Sequence, residues 1–123
     1  MGKYLISKSE LILSLLFQTL GIRAEYEGKT LLGYLPDFVL RSEGRIVYEE
    51  HLGRLGEAGY RSRQEKKLRT YRRHGIENGK NLLITAEEYD GKKGTSSVDL
   101  LKIVWRMVQM KLVEGKELRK LLR

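Results

Sequence analysis

The stretch that decides the fold is Leu35-Pro36-Asp37-Phe38-Val39-Leu40-Arg41-Ser42-Glu43-Gly44-Arg45-Ile46-Val47-Tyr48-Glu49-Glu50-His51-Leu52-Gly53. Phe38 and Leu40 alternate with Asp37 and Val39, and Ile46 and Tyr48 alternate with Val47 and Glu49. That is the period of two expected of strands, over Tyr34 to Arg41 and Arg45 to His51. Ser42-Glu43-Gly44 between them is a hairpin signal, with glycine supplying a positive φ. A two-residue turn on Glu43-Gly44 sets Asp37 opposite Glu50. Cross-strand partners have Cβ atoms ~5 Å apart. Two carboxylates that close repel unless a cation lies between them, and a divalent ion with oxygen ligands answers that need. A one-residue slip would present Glu49 instead. Pro36 has no N–H for a ladder and is expected to bend the chain so that Asp37 is aimed off the sheet.

Working outward, Ser7 and Glu10 make a capping box for a helix over Lys8 to Leu20, with Leu11, Ile12, Leu15, Leu16 and Phe17 as its apolar face and Gly21 as its stop. Short strand-like pieces follow at Ile22 to Glu27 and Thr30 to Leu32, around a turn at Gly28-Lys29. A basic helix is expected from Glu57 to His74 and a buried strand over Asn81 to Ala86. Glu87 to Gly94 reads as an acidic, glycine-rich loop, where solvated acids are the simplest reading of Glu87, Glu88 and Asp90. A second cap, Ser96-x-x-Asp99, opens a helix carrying Val98, Leu101, Val104, Trp105 and Val108. The expected fold is α/β: a central mixed four-stranded sheet with helices on both faces, in the order αβββαβα. Residues 1–113 form one domain and residues 114–123 a basic helical tail.

Composition bounds the function. The 123 residues carry 24 Lys and Arg against 16 Asp and Glu, a net charge of +8, which favours a polyanionic partner, nucleic acid first. There is no cysteine, so disulfides, thiolate zinc sites, iron–sulfur clusters and thiol nucleophiles are excluded. Two histidines argue against a multi-histidine zinc site within one chain. The apolar run from Leu11 to Phe17 is far short of the ~20 residues of a membrane span, and there is no signal-peptide pattern. An intracellular, soluble, cytoplasmic protein is expected. The positive charge is concentrated: Arg54, Arg61, Arg63, Lys66, Lys67, Arg69, Arg72 and Arg73 are opposed between positions 54 and 74 only by Glu57 and Glu65. This is a candidate track for a phosphate backbone, which positions a duplex without reading its sequence.

Leu35-Pro36-Asp37-Phe38 and Val47-Tyr48-Glu49-Glu50-His51-Leu52-Gly53, followed by Tyr60, Lys67 and Tyr71 on a helix and preceded by Ser7-Lys8-Ser9-Glu10, resemble the PD-(D/E)xK nuclease superfamily. The likeness is closest to modules found alone or fused to helicases, and it runs from Ser7 to Val108. It implies a restriction-endonuclease-like fold and a divalent-metal-dependent nuclease that hydrolyses DNA phosphodiester bonds, as an endonuclease of little sequence specificity. It further implies Asp37 and Glu50 as ligands of Mg2+ or Mn2+, the backbone carbonyl of His51 as a further ligand, and Glu10 as an additional carboxylate. The family's lysine normally lies two residues after the second acid, where this chain has Leu52. Lys67 is the expected replacement, because Tyr60, Gln64, Lys67 and Tyr71 fall on one helical stripe; Lys66 is the fallback. The alternative reading is a catalytically inactive nucleic-acid-binding module of a larger complex. Two partners are left open, a helicase or other DNA-processing protein and a second copy docked through the C-terminal helix.

Several of these residues also have plain structural readings. Glu10 is fully explained as a capping residue, and His51, pointing to the face opposite Glu50, as a packed histidine. His74 suits a helix C-terminus. Tyr60 and Tyr71 suit a core lining, and Met107, Met110 and Trp105 a core or a subunit contact.

Overall fold

The computed structural model describes residues 7–27, 32–53, 58–90 and 95–122. The elements are α1 (Lys8–Thr19), β1 (Arg23–Tyr26), β2 (Phe38–Ser42), β3 (Arg45–Leu52), α2 (Ala58–Arg73), β4 (Leu82–Asp90), β5 (Thr95–Val98), α3 (Leu100–Gln109) and α4 (Gly115–Leu121). The strands lie in sequence order, β1-β2-β3-β4-β5. All neighbours are antiparallel except β3 and β4, which run parallel with α2 as the connection. A parallel pair cannot be joined by a tight turn, so the basic helix is the crossover that this pairing demands. The chain is therefore α/β, with β1 to β4 a mixed four-strand sheet.

The β2–β3 register is the expected one: Phe38 faces Glu49, Leu40 faces Val47 and Ser42 faces Arg45. Glu43 and Gly44 both have positive φ, 47° and 79°. This is the backbone of a type I′ turn, whose twist matches the flanking strands. Given the register, alternation assigns the faces. Tyr26, Phe38, Leu40, Val47 and Leu83 form a floor on which α1 and α3 place Leu13, Phe17, Ile103, Val104 and Met107. Glu50, Leu82 and Ile84 belong to the other face, which α2 covers through Lys67 and Tyr71. Gly75, at φ 81°, ends α2, with Ile76 N–H donating to the Tyr71 carbonyl and Gly75 N–H to that of Arg72.

Several expectations are corrected. The second strand begins at Phe38, not Tyr34, because Pro36 and the bend at Asp37 keep both out of the ladder. β4 is longer than Asn81 to Ala86: Glu87 to Asp90 is strand, not loop, and pairs with β5, so a fifth strand extends the expected four. The cap of α3 is Asp99, which accepts from Lys102 N–H, whereas Ser96 lies in β5. On α1 the buried residues are Ser9, Leu13, Leu16 and Phe17, while Leu11 and Leu15 are exposed. On α3, Leu101 and Trp105 are exposed and Ile103 and Met107 fill the core. The expected turn at Gly28-Lys29, Thr30 and Leu31 of the short piece beside it, and Glu57 at the expected start of α2 lie outside the described residues. Leu118 of α4 packs against the core cluster, so the basic C-terminal segment leans on the domain.

Candidate functional site

The site forms at the end of β2 and β3 remote from their turn. Asp37 stands one residue before β2, and its Oδ2 accepts from His51 N–H at 2.6 Å. Its own carbonyl accepts from Glu27 N–H at 2.9 Å, which fixes the bend against the end of β1. Burial pushes the Asp37 carboxyl up to about 7. The His51 N–H and Lys67 oppose that rise, and the negative charges of Glu50 and Glu10 add to it.

Glu50 is buried on the α2 face, with both oxygens engaged. Lys67 Nζ donates to Oε2 at 2.7 Å and Tyr71 OH to Oε1 at 3.0 Å. Burial raises the Glu50 carboxyl, and Lys67 pulls it back most strongly. The Tyr71 hydroxyl is pushed up by burial and by Glu50. Its ring meets that of Tyr34 edge-on at 5.9 Å. Tyr60, a turn from the start of α2, donates to the His51 carbonyl at 3.5 Å and accepts from Gly53 N–H at 3.4 Å. Between them Gln64 has a buried Oε1 with no hydrogen-bond partner among the described residues. The expected stripe of Tyr60, Gln64, Lys67 and Tyr71 thus faces the sheet. Lys66 does not: it is exposed on the far side of α2, which removes it as the fallback.

Arg61, Arg63, Arg69, Arg72 and Arg73 are all exposed, and the last three share one surface depression. Arg54 lies outside the described residues. The cations sit on the outer side of α2, away from the helix face that meets Glu50, because 3.6 residues per turn separate them from the inward stripe.

Glu10 closes its capping box, accepting from Ser7 N–H at 3.0 Å while its own N–H donates to Ser7 Oγ at 3.1 Å. It also stands near Tyr26, whose hydroxyl is pushed up by burial first and by Glu10 next. Its influence on Asp37 is electrostatic.

The opposite face holds a polar network that the sequence reading missed. Glu49 is fully buried, and burial raises its carboxyl well above the ordinary range. Thr85 Oγ1 donates to its Oε1 at 2.6 Å. Thr85 Oγ1 also lies 2.8 Å from His51 Nδ1, and His51 Nε2 lies 3.5 Å from Glu87 Oε1, to which Ser9 Oγ donates at 2.5 Å. The available signal was parity: with Phe38 and Leu40 facing the core, Val47, Glu49 and His51 must face it too. His51 does point away from Glu50, as expected.

The donor set suits one kind of metal. Among the described residues no three Asp, Glu or His side chains are arranged to hold an ion. Two carboxylates and a carbonyl are nevertheless the donors Mg2+ uses, since it retains several waters and seldom takes an all-protein cage. Asp37 bonds the His51 N–H through Oδ2 only, and burial, with the charges of Glu50 and Glu10 adding to it, disfavours its ionised form, a cost that a bound cation would offset.

No family model and no solved structure matches the chain. Among the described residues no helix is long and apolar enough to cross a membrane. The chain is similar to an uncharacterized protein of Methanocaldococcus jannaschii, 38% identical over 80 residues, which are 62% of this chain and 7% of that protein. The chain therefore spans a small part of the curated relative it matches.

Proposed function

We propose that the chain is a divalent-metal-dependent DNA nuclease with a restriction-endonuclease-like arrangement. The observation that carries this reading is the convergence of Asp37, Glu50 and Lys67 from a strand entrance, a strand and a crossover helix. Asp37 and Glu50 would hold Mg2+ or Mn2+, with the His51 carbonyl as a third donor. When bound, the ion supplies Lewis-acid stabilisation of the phosphate and a water of lowered pKa. Lys67 then turns from Glu50 toward the phosphate, orienting the attacking water or offsetting developing charge. Tyr71 keeps its bond to Glu50 and fixes the carboxylate plane. Glu10 adds negative potential from the start of α1. The outward arginines of α2 hold the DNA backbone beside the site rather than over it. The similarity to a stretch of a much longer chain supports a module that works beside other domains.

The second reading is a nucleic-acid-binding module without activity. It is favoured by Leu52 at the family's lysine position and by the engagement of both Glu50 oxygens. Plasmid, linear duplex, single-stranded and branched DNA, each with Mg2+, Mn2+ or chelator, separate the two. Cutting that needs the metal and is lost in Asp37→Ala and Glu50→Ala supports the nuclease. Cutting that persists in both variants defeats the assignment of the site. Salt-sensitive binding with no cutting under any condition favours the binding module.

A further inference from the structure

We propose that His51 is the positioning residue of the site, wired through its ring to one face of the sheet and through its backbone to the other. This inference rests on the nuclease reading for its purpose but not for its geometry. The peptide groups of His51 serve the proposed metal site: its N–H holds Asp37 and its carbonyl accepts from Tyr60. Its ring enters the buried network on the opposite face. Thr85 has one hydroxyl proton and spends it on Glu49, so it receives its second bond from Nδ1–H of His51. The other ring nitrogen faces Glu87, which Ser9 ties to α1. The ring is therefore held from β4 through Thr85, while its other nitrogen makes no hydrogen bond among the described residues.

This arrangement matters because the site lies where regular pairing stops. β2 begins only after Asp37, and β3 ends at Leu52. At such an edge a ladder gives the backbone little restraint from the β2 side. A side chain anchored on the buried Thr85–Glu49 pair supplies that restraint from beneath. Glu49, Thr85 and Ser9 are all buried, and the His51 side chain is 6% exposed. Supporting bonds of this kind change metal affinity or activity by about 10- to 100-fold when removed, without touching the metal themselves.

The test uses the full chain and two readouts. Thr85→Val removes the hydroxyl and keeps the shape. In the metal-free protein, amide exchange at His51 is expected to accelerate at least tenfold more than at Val47 and Tyr48. Mn2+ affinity, measured by calorimetry, is expected to fall about tenfold, and Thr85→Ser is expected to restore both. His51→Ala, read in the same way at residue 51, serves if Thr85→Val does not fold. Exchange at residue 51 that merely follows Val47 and Tyr48 overturns the proposal, as does a Thr85→Ser variant no better than Thr85→Val. Absence of Asp37-dependent Mn2+ binding in the unsubstituted chain defeats the nuclease reading instead, and amide exchange alone then decides whether His51 positions Asp37.

Discussion

The ammonium of Lys67 lies 2.7 Å from Oε2 of Glu50, across seventeen residues of sequence, with the two side chains 12% and 2% exposed. A pair this buried is sensitive to the loss of one partner. Lys67→Met strands a carboxylate that burial already penalises and is expected to cost about 3 kcal/mol at neutral pH in urea unfolding. Adding Glu50→Gln should recover most of that loss, because no charge is then left to desolvate. A double variant as unstable as the single one would contradict this account.

Neighbouring acids on β3 should behave oppositely. Burial favours the neutral form of Glu49, so Glu49→Gln keeps its shape and its bond from Thr85. It is expected to change stability by no more than about 1 kcal/mol at pH 7, with DNA cutting retained. Glu50→Gln should abolish cutting. Parallel unfolding and plasmid-cleavage measurements on the two variants check this.

The pH dependence has a defined sign. Asp37 sits near 7 in the folded chain against an ordinary value of 3.8. The folded state therefore binds the proton more tightly, and stability contributed by this group falls as pH rises from about 4 to about 7. Glu49 and Glu50 are raised too and act in the same direction. The metal-free chain should thus gain stability between pH 8 and pH 5, at a slope of up to ~1.4 kcal/mol per pH unit for Asp37. Asp37→Asn should flatten that slope. Mg2+ should stabilise the chain at pH 8 and lose its effect toward pH 5, as protons compete for the same oxygens. Thermal melts across pH, with and without the ion, measure both.

The outward arginines predict a salt effect separable from the chemistry. Replacing Arg69, Arg72 or Arg73 with Ala should lower the slope of log affinity against log salt on duplex DNA. The expected decrease is about 0.9 for each phosphate that the variant leaves unneutralised. Titrations in chelator read this without cutting. An unchanged slope in all three variants would place the DNA on another surface.

The turn offers a control on stability alone. Glu43 occupies a left-handed backbone conformation at φ 47° on an exposed position. Asn tolerates that region better and Asn-Gly is the preferred pair for this turn, so Glu43→Asn should raise stability by about 1 kcal/mol and leave cutting unchanged. Urea unfolding and plasmid cleavage check both halves.

The hairpin was legible in sequence because alternation and Gly44 act locally, and they fixed the register that brings Asp37 beside the end of β3. Lys67 was legible because helical spacing from Tyr60 to Tyr71 is also local. The Glu49–Thr85–His51 network was not, because Thr85 is 36 residues from Glu49 and only the parallel β3–β4 pairing brings them together. The fifth strand was hidden by composition: Glu87 to Asp90 looks solvated, yet antiparallel pairing with β5 makes it sheet. The apolar faces of α1 and α3 were misjudged at Leu15 and Trp105, since hydrophobicity alone does not say which of several adjacent stripes meets the core.

The two-residue turn at Glu43-Gly44 also bears on how this chain can change over generations. Losing or gaining one codon there would shift β3 by a single step against β2 and exchange the surroundings of Glu49 and Glu50. The acid now bonded to Thr85 would be driven against Lys67, and the acid that Lys67 requires would enter the apolar floor. Insertions and deletions at this loop are therefore expected to be lethal to function although the loop is exposed. Length variation in descendants of this chain should gather elsewhere on its surface.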